Sequence, residues 1–284
     1  MAVPTDVQAS FEAHRRYLRG VAYRMLGSLS DADDVVQEAF LRWRTVDVAS
    51  VAEPRAFLTQ IVTRLCLDHL KSARVRRESY VGTWLPEPVS PEELDGAENL
   101  SVALLLTLER LSPLERAAFL LHDVFDMAYA ELAETLERNE AACRQLVARA
   151  REHVRSEQRR FEPSASESER VLTAFYAASL TGDAAALTAL LTESATLYAD
   201  AGGKRLSALK PIYGRDKVVR FLMGVWKKGG AAAAGQIQPA LLNGLPGAIL
   251  RGPDGVQTVA FALDGDRIGE IYVVGNPDKL RHLG

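Results

Sequence analysis

The first half of the chain carries apolar residues at the spacing of amphipathic helices. One set shares a helical face that Gly27 would end: Phe11, Tyr17, Leu18, Val21, Ala22, Met25 and Leu26. Ser30 and Asp31 predict the start of a second helix, with a hydroxyl cap and an acidic first turn. The core face of that helix would consist of Val35, Ala39 and Trp43. The pattern therefore predicts a helical bundle.

A third helix is predicted from Pro54 onward, over PRAFLTQIVTRLCLDHLKSARVRRE. Its C-terminal half carries five basic side chains: Arg64, Lys71, Arg74, Arg76 and Arg77. The helix dipole alone favours cations there. With His69, Ser72 and Tyr80 nearby, the same residues also fit a surface that follows a phosphate backbone and stacks exposed bases. Both interpretations remain open from the pattern alone.

A proline-containing segment, residues 81–98, separates this block from a second helical block. Because proline fixes φ and blocks helix formation, the segment is predicted to be an extended linker. Its Trp84 and Leu85 are expected to dock in a groove rather than face water. Beyond the linker, Ser112-Pro113-Leu114-Glu115 has the composition of a capping box with proline at the first helical position.

Residues 127–155 fit a helix-turn-helix. Five residues would face inward from its two helices: Leu132, Ala133, Leu136, Cys143 and Leu146. Asn139 stands where the N-cap of the second helix belongs. The outward face would present Glu140, Ala141, Arg144, Gln145, Ala148 and Arg149. Arg and Gln read base edges in a major groove, so this face is a candidate DNA reader, and a helical hairpin with a solvated charged face is the alternative.

The chain changes character after a polar boundary, EPSASESE. Two short helices are predicted around Gly182 and Asp183. Four later segments have the pattern of strands: ATLYADA, GAILRG, VQTVAFALDG and RIGEIYVVG. This order predicts an α+β domain whose helices precede a curved antiparallel sheet.

Composition narrows the class of protein. A length of 284 residues suggests about two domains, and 48% apolar with 25% charged residues is typical of soluble globular proteins. The sequence contains no apolar run of bilayer length and no signal-peptide pattern, so we expect a cytoplasmic protein without membrane contact. Cys66 and Cys143 each fall on an apolar helix face, which predicts buried reduced thiols.

Charge is divided unevenly along the chain. Residues 1–163 contain 21 Lys and Arg against 26 Asp and Glu, whereas residues 164–284 contain 13 against 11. The candidate DNA-binding half is therefore the acidic one, with its positive charge concentrated in residues 64–77 and 144–160. We expect weak DNA affinity for the isolated chain and a partner that supplies most of the phosphate contacts.

Catalysis has one candidate, Asp200, which ends a predicted strand and would be a general base with Tyr198, Lys204 and Trp226 near it. The only histidine of the C-terminal part is His282, and no nucleophile-base pair or ligand cluster stands out. We therefore predict a protein that is not an enzyme, with no catalytic residue, no metal site and no cofactor.

The segments above resemble a family. DADDVVQEAFLRW is similar to the core-polymerase-binding region 2 of bacterial sigma factors, and PRAFLTQIVTRLCLDHLKSARVR to the −10-element region that follows it. The helix-turn-helix, preceded by LLTLERLSPLERAAFLLHDVFDM, resembles region 4, which reads the −35 element. The absence of a region 3 segment between them is typical of the extracytoplasmic-function (group IV) sigma factors.

The resemblance implies three contact surfaces. Core polymerase, through its β′ and β subunits, would contact Asp34, Gln37, Glu38 and Arg42. The −10 element would contact Arg64, Lys71, Arg74, Arg76 and Arg77. The −35 element would contact Glu140, Arg144, Gln145 and Arg149.

The C-terminal part is similar to the SnoaL-like/NTF2-like cone fold, and the whole order resembles the ECF41/SigJ-like subgroup. Three motifs carry this resemblance: WLPEP at Trp84–Pro88, Asp200-Ala201-Gly202-Gly203-Lys204 and Asn276-Pro277-Asp278-Lys279-Leu280. The second motif departs from the subgroup's DGGGK by Ala201, which puts any backbone conformation that needs glycine there in doubt. The subgroup implies that the extra domain regulates the sigma regions within the same chain, through Trp84, Leu85, Pro86 and the other two motifs.

We therefore expect a multidomain chain with sigma region 2 (6–80), a linker (81–98), a region 4 helix-turn-helix (99–160) and a SnoaL-like regulatory domain (168–284). Its expected function is promoter-specific transcription initiation with core RNA polymerase and promoter DNA as partners. A small ligand of unidentified class in the SnoaL-like pocket is a further expectation. Two alternatives are a ligand-sensing helix-turn-helix regulator that does not depend on core polymerase, and an enzyme fused to a DNA-binding module.

Overall fold

The computed structural model describes residues 5–78, 80–94, 101–157 and 165–284. The chain divides into two compact units. The helical unit is built from residues 1–79, 94–96 and 103–158, and the sheet unit from residues 80–93, 97–102 and 159–284. Most of the linker is therefore part of the sheet unit, although its sequence lies between two segments of the helical unit.

Seven α-helices are described in the helical unit. They are α1 (Thr5–Leu26), α2 (Leu29–Trp43), α3 (Pro54–Glu78), α4 (Val102–Arg110), α5 (Pro113–Phe119), α6 (Tyr129–Leu136) and α7 (Glu140–Glu157). One π-helical turn, Leu120–Val124, follows α5. The core of the helical unit contains the large side chains Phe11, Tyr23, Met25, Trp43 and Leu58, each fully buried. None of the described helices is long and apolar enough to cross a bilayer.

Local sequence explains how these helices begin and end. Gly27 ends α1 with φ +69°, and its N–H donates to the carbonyl of Tyr23 at 2.7 Å. The capping box at Ser112 is confirmed, since its hydroxyl accepts the Glu115 N–H at 3.3 Å and the Glu115 carboxylate accepts the Ser112 N–H at 3.1 Å. The predicted cap of α2 at Ser30 was wrong. Ser28 takes the extended cap conformation directly after Gly27, and its hydroxyl accepts the Asp31 N–H at 3.2 Å.

The helix-turn-helix consists of α6 and α7. Glu137 ends α6 in the left-handed conformation at φ +54°, and the Asn139 side chain accepts the Ala142 N–H at 2.8 Å, as predicted for an N-cap. Three of the five predicted inward residues are buried: Leu132, Leu136 and Cys143. The other two, Ala133 and Leu146, are only half-buried, because Thr135, Val147 and Ala150 occupy the deeper positions. Cys66 and Cys143 are both buried free thiols, and burial raises the pKa of each.

The sheet unit contains three helices and one six-stranded sheet. The helices are α8 (Ala165–Thr181), α9 (Ala184–Leu190) and α10 (Arg215–Ala234). The strands are β1 (Leu191–Asp200), β2 (Ile212–Tyr213), β3 (Gln236–Leu242), β4 (Leu245–Gly252), β5 (Gly255–Asp264) and β6 (Arg267–Val274), in the order β2-β1-β6-β5-β4-β3. Two strands, β2 and β3, were not predicted. The expected antiparallel sheet was wrong in one pairing, because β1 runs parallel to β6.

The two faces of this sheet are covered differently. Phe261 of β5 and Ile271 of β6 join an apolar core with residues of α8, α9 and α10. Their neighbours Ala260 and Tyr272 point to the opposite face, since successive side chains of a strand alternate. There they line a cavity together with residues of the linker. The helices therefore cover one face of the sheet, and the linker lies against the other.

Candidate promoter surfaces and linker site

The predicted polymerase-binding residues lie on one face of α2. Asp34, Gln37, Glu38 and Arg42 are all exposed, and Val35, Val36 and Ala39 bury the other face. The Arg42 guanidinium lies 3.1 Å from the Glu38 carboxylate. Leu41 is 46% exposed beside them. An acidic face with one exposed leucine is suited to bind a basic partner helix.

The predicted −10 surface is described only in part. Arg64 and Lys71 are exposed on α3. Their nearest carboxylates are those of Glu137, 2.9 Å from the Arg64 guanidinium, and Asp68, 2.8 Å from the Lys71 ammonium. The backbone of Arg74, Arg76 and Arg77 continues α3, but their side chains lie outside the described residues. Tyr80, which the sequence associated with exposed bases, takes part in the linker site described below.

The predicted −35 surface is a continuous exposed face of α7. Its four residues, Glu140, Arg144, Gln145 and Arg149, are all exposed. The Arg144 guanidinium lies 2.6 Å from the Glu140 carboxylate and 4.9 Å from the ring centre of Tyr129. Two planar donors, Arg144 and Gln145, therefore stand side by side on the exposed face of α7.

Within the helical unit, the helix-turn-helix contacts α3. The Gln60 amide donates to the Glu134 carbonyl at 3.2 Å, and Arg64 pairs with Glu137 in the turn between α6 and α7. The candidate −10 residue Arg64 is therefore engaged by the candidate −35 module. Both of these side-chain contacts are exposed, so each adds little stability.

A buried contact joins α5 to α1 and α4 within the helical unit. Arg116 of α5 is 3% exposed, and its guanidinium donates to the Met25 carbonyl at 2.7 Å and to the Glu109 carboxylate at 2.8 Å. The Met25 carbonyl belongs to the last turn of α1, where backbone acceptors lack partners within the helix. Burial lowers the pKa of Arg116 to about 10, because desolvation disfavours the charged form.

The linker site is organised around Asp200, at the end of β1. Asp200 is 1% exposed, and its two carboxylate oxygens accept four donors. Oδ1 accepts the Tyr80 hydroxyl at 2.5 Å and the Gly202 N–H at 3.0 Å. Oδ2 accepts the Leu85 N–H at 2.9 Å and the Lys279 ammonium at 2.7 Å. Four donors fill the lone-pair directions of a carboxylate, so this charge is fully hydrogen-bonded.

Lys279 connects the C-terminal motif to the linker. It is 7% exposed, it donates to the Leu85 carbonyl, and its ammonium lies 4.2 Å from the ring centre of Trp84 and 5.1 Å from that of Tyr80. A desolvated cation against aromatic faces is a favourable contact. Burial and the hydrogen bond to Asp200 raise the pKa of Tyr80 above its ordinary range.

The second motif forms a tight turn against the third. Gly202 and Gly203 have φ of +57° and +71°, and a Cβ on Gly202 would overlap the Asn276 side chain. Ala201 has no positive φ and is 7% exposed. The departure from DGGGK therefore falls at the motif position that does not require glycine, which removes the doubt raised by the sequence.

The third motif is held by polar contacts on both sides. The Asn276 amide donates to the Tyr80 hydroxyl at 2.8 Å, and Leu280 is buried. Asp278 pairs with Lys204 of the second motif and with Arg281, and these cations hold the pKa of Asp278 below its usual range. The three predicted motifs thus come together in the sheet unit, where Pro86 is buried and Pro277 is exposed.

The hydrogen bonds of Asp200 count against its predicted role as a general base. A general base needs a free lone pair that a substrate can reach, whereas both oxygens of Asp200 are engaged by protein donors. Its suggested neighbours are also engaged, since Tyr198 stacks on Tyr272 with ring centres 5.3 Å apart and Lys204 pairs with Asp278. The side chain of Trp226 lies outside the described residues. Asp200 is therefore built into the linker site.

Two residues of the linker site were missed. Asn243 bonds the backbone of Val89 at two points, and one ring nitrogen of His282 lies 2.9 Å from the Pro88 carbonyl. The dipeptide Asn243-Gly244 between apolar segments is a strong hairpin signal that could have located the first of them. Nothing in the local sequence connects either residue with the linker.

Comparison with known proteins identifies the class. Residues 10–76 match the family Sigma-70 region 2, and residues 101–154 match Sigma-70, region 4. These ranges contain α2, most of α3 and most of α7, the elements on which the three surfaces were predicted. The two regions together define a sigma factor of the sigma-70 type.

Whole-chain relatives narrow the class. The chain is 40% identical to the ECF RNA polymerase sigma factor SigJ of Mycobacterium tuberculosis, over 95% of this chain and 92% of that protein. It is 32% identical to the probable ECF sigma factor SigI of the same species, over 100% of this chain and 98% of that protein. The crystal structure of M. tuberculosis SigJ matches with a TM-score of 0.80 and 37% identity, over 96% of this chain and 98% of that chain. The chain belongs to the extracytoplasmic-function (ECF) RNA polymerase sigma factors, and its α+β SnoaL-like C-terminal domain is part of the shared architecture.

Proposed function

We propose that this sigma factor contacts core RNA polymerase through the α2 face and promoter DNA through α3 and α7, and that its C-terminal domain regulates it by holding the linker. The observation that carries the regulatory part is the burial of Asp200 with donors from three sequence-distant segments. These are the linker, the turn after β1 and the C-terminal motif. The protein acts as a regulator and not as an enzyme.

The regulatory mechanism follows from where the linker lies in the sequence. Residues 81–98 connect region 2 to region 4, and both regions must meet one promoter. While the linker is seated on the sheet, residues 80–93 follow a single path. A released linker would leave the regions joined by a flexible tether. Promoter-bound polymerase then selects the released state, which is a population shift and needs no separate inhibitor protein.

The engagement of Arg64 by Glu137 supports a closed resting state. A guanidinium paired with the helix-turn-helix is less available to a DNA phosphate, and the acidic balance of residues 1–163 weakens DNA binding further. Core polymerase would supply the missing phosphate contacts and hold both promoter surfaces in register. The location that fits this function is the cytoplasm, where polymerase and promoter DNA are found.

The −35 assignment is tested with Arg144→Ala. If Arg144 reads a base, the change costs about 1–3 kcal/mol of promoter affinity and relaxes specificity at one position. Run-off transcription with core polymerase on promoters varied base by base measures both effects. The matched control is Arg155→Ala, about three turns further along the same helix and not among the predicted reading residues. Equal weakening on every sequence would make Arg144 a phosphate contact and contradict base reading.

The regulatory role is tested with Trp84→Ala in the full chain. Loss of the ring removes the aromatic face from Lys279, so the seated linker is weakened and transcript yield with core polymerase should change. Trp84→Phe keeps an aromatic face and should restore most of the original yield. Identical yields from the native chain and Trp84→Ala, at limiting and at saturating polymerase, would exclude regulation through this site.

The expected small ligand also remains a proposal. The hydroxyls of Tyr176 and Ser179, one helical turn apart on α8, are buried and have no hydrogen-bond partner among the residues that the structure describes. A ligand with polar groups inside the domain would satisfy them. Native mass spectrometry of the protein purified from its host would detect a bound compound, and a mass equal to that of the bare chain would argue against one.

A further inference from the structure

Asn243 lies in an unusual turn. It connects β3 to β4 together with Gly244, and since Leu242 pairs with Leu245, the turn has two residues. Both have positive φ, +50° for Asn243 and +71° for Gly244, which is the pattern of a type I′ hairpin. Hairpin turns are usually exposed. Asn243 is nevertheless only 1% exposed, so something covers it.

Part of the linker covers Asn243. The backbone N–H of Asn243 donates to the Val89 carbonyl at 2.8 Å, and the Asn243 side-chain oxygen accepts the Val89 N–H at 3.2 Å. One residue therefore satisfies both backbone groups of Val89, as a neighbouring strand would. The adjacent Leu242 lines the same cavity as Pro86 and Pro88.

The prolines make this contact specific for register. Asp200 accepts the N–H of Leu85 and Asn243 accepts that of Val89, four residues further along an extended segment. Residues 86 and 88 are prolines, which have no N–H. A slip of the linker by one residue would place Pro86 at the position of Leu85 in one direction, or Pro88 at the position of Val89 in the other, so either slip would remove the linker N–H from one buried acceptor. An unpaired buried polar group is costly, so a one-residue slip in either direction is disfavoured.

We propose that Asn243 is a positioning residue that, with Asp200, holds the linker in a single register on the open face of the sheet. The transcriptional consequence of this contact rests on the proposed regulatory function, whereas the register itself does not. The SnoaL-like sheet then recognises the linker as a peptide-binding domain recognises an extended ligand, through alternate backbone donors and proline-filled positions.

The test uses Asn243→Gly in the full chain. Glycine keeps the positive φ of the turn and removes only the side-chain acceptor. Hydrogen exchange, resolved to residues 80–93, should show roughly five- to tenfold faster exchange of the Val89 amide. The matched control is Asp266→Gly, the same kind of change in the exposed two-residue turn between β5 and β6. This control should leave exchange in the linker unchanged.

A second variant tests register directly. Pro88→Ala restores an N–H at position 88 and keeps the carbonyl that faces His282, so a slipped linker regains one donor. Two exchange populations are then expected in residues 80–93, and adding Asn243→Gly should merge them into a single fast population. A single slow population in Pro88→Ala, or an unchanged Val89 rate in Asn243→Gly, would overturn the proposal. A uniform increase of the exchange rates across β3–β6 in Asn243→Gly would also overturn the proposal, because it would show that Asn243 acts only as a turn residue.

Transcription separates this inference from the regulatory proposal. Run-off yield of Asn243→Gly with core polymerase should change in the same direction as that of Trp84→Ala. Faster Val89 exchange with unchanged yield supports the positioning role and counts against regulation by the linker. Unchanged exchange refutes the positioning role whatever the yield.

Discussion

The helical unit and the sheet unit each contain a buried charged side chain that joins segments distant in sequence, and the two side chains differ in how fully they are hydrogen-bonded. Asp200 in the sheet unit receives four donors. Arg116 in the helical unit reaches two acceptors, and its Nε has no partner within the described residues. When all hydrogen-bonding positions of a buried charge are occupied, separating it from its partners is costly. When some are unoccupied, the hydrogen bonds offset less of the desolvation cost of burying the charge. From this comparison we expect the contacts of Arg116 to open more easily than the linker leaves the sheet.

The strongest test removes one partner of the Asp200 pair. Lys279→Met leaves a buried carboxylate without its cation, and the sheet unit should lose about 3–5 kcal/mol of stability. The double variant Asp200→Asn with Lys279→Met removes both charges and should recover more than half of that loss. Exchange protection of β1 and β6 measures the stability locally. Additive losses in the double variant would mean that the pair is not a coupled unit.

The corresponding test in the helical unit is Arg116→Met. The change removes two hydrogen bonds of a charged donor, but it also removes the cost of burying that charge. The expected loss in the free energy of unfolding is therefore about 1–3 kcal/mol. Spin labels on α3 and α7 should report a broader distance distribution. Arg110→Met, at the exposed end of α4, is the control and should leave the distribution narrow. A larger loss than that of Lys279→Met would reverse the comparison.

Alkaline pH should weaken the linker site of the sheet unit. The pKa of Tyr80 is raised in the folded state, so its contribution is fully present below the ordinary tyrosine value of about 10 and declines as pH rises above it. Trp84 fluorescence should therefore report linker release on the alkaline side. In Tyr80→Phe that pH dependence should be absent, although the linker is held less firmly at every pH. The same alkaline transition in the native chain and in Tyr80→Phe would exclude Tyr80 as its cause.

The smallest effect is expected at the exposed pair of Arg64 and Glu137, whose side chains are 45% and 71% exposed. Glu137→Gln should change stability by less than about 1 kcal/mol, and less at high salt. It should nevertheless increase promoter binding by the isolated chain, because Arg64 is freed. Filter binding at low salt measures this, with Glu134→Gln on α6 as the control. Weaker binding would refute the closed resting state.

The sequence predicted the local structure better than the distant contacts. Gly27, Ser112 and Asn139 act on backbone groups within one helical turn, so the helix ends predicted from them were correct. The cap of α2 was assigned to Ser30 instead of Ser28, because both hydroxyls precede an acidic turn and only backbone conformation distinguishes them. Strand β3, QIQPALL, contains a proline and few β-branched residues, and it was missed.

The linker site was predicted as three motifs but not as a site. Asp200 was named as a catalytic candidate and, together with Lys279, through the family resemblance, without any indication that the two form an ion pair. Tyr80 was assigned to DNA, because its neighbours in sequence are basic, whereas its hydroxyl reaches Asp200, 120 residues away. The parallel pairing of β1 with β6 and the contact of Asn243 with Val89 are likewise long-range contacts that periodicity does not report.

The ammonium of Lys279 donates to the carbonyl of Leu85, 194 residues earlier in the chain. At typical rates of synthesis, roughly 10–40 s separate the two residues as they leave the ribosome. Regions 2 and 4 therefore emerge, and have time to fold, before the seat for the linker is complete. Each newly made molecule therefore passes through an interval in which polymerase can bind regions 2 and 4 before the C-terminal domain can hold the linker. Under the proposed regulation, the fraction of molecules that bind polymerase in this interval depends on the concentration of free polymerase during translation.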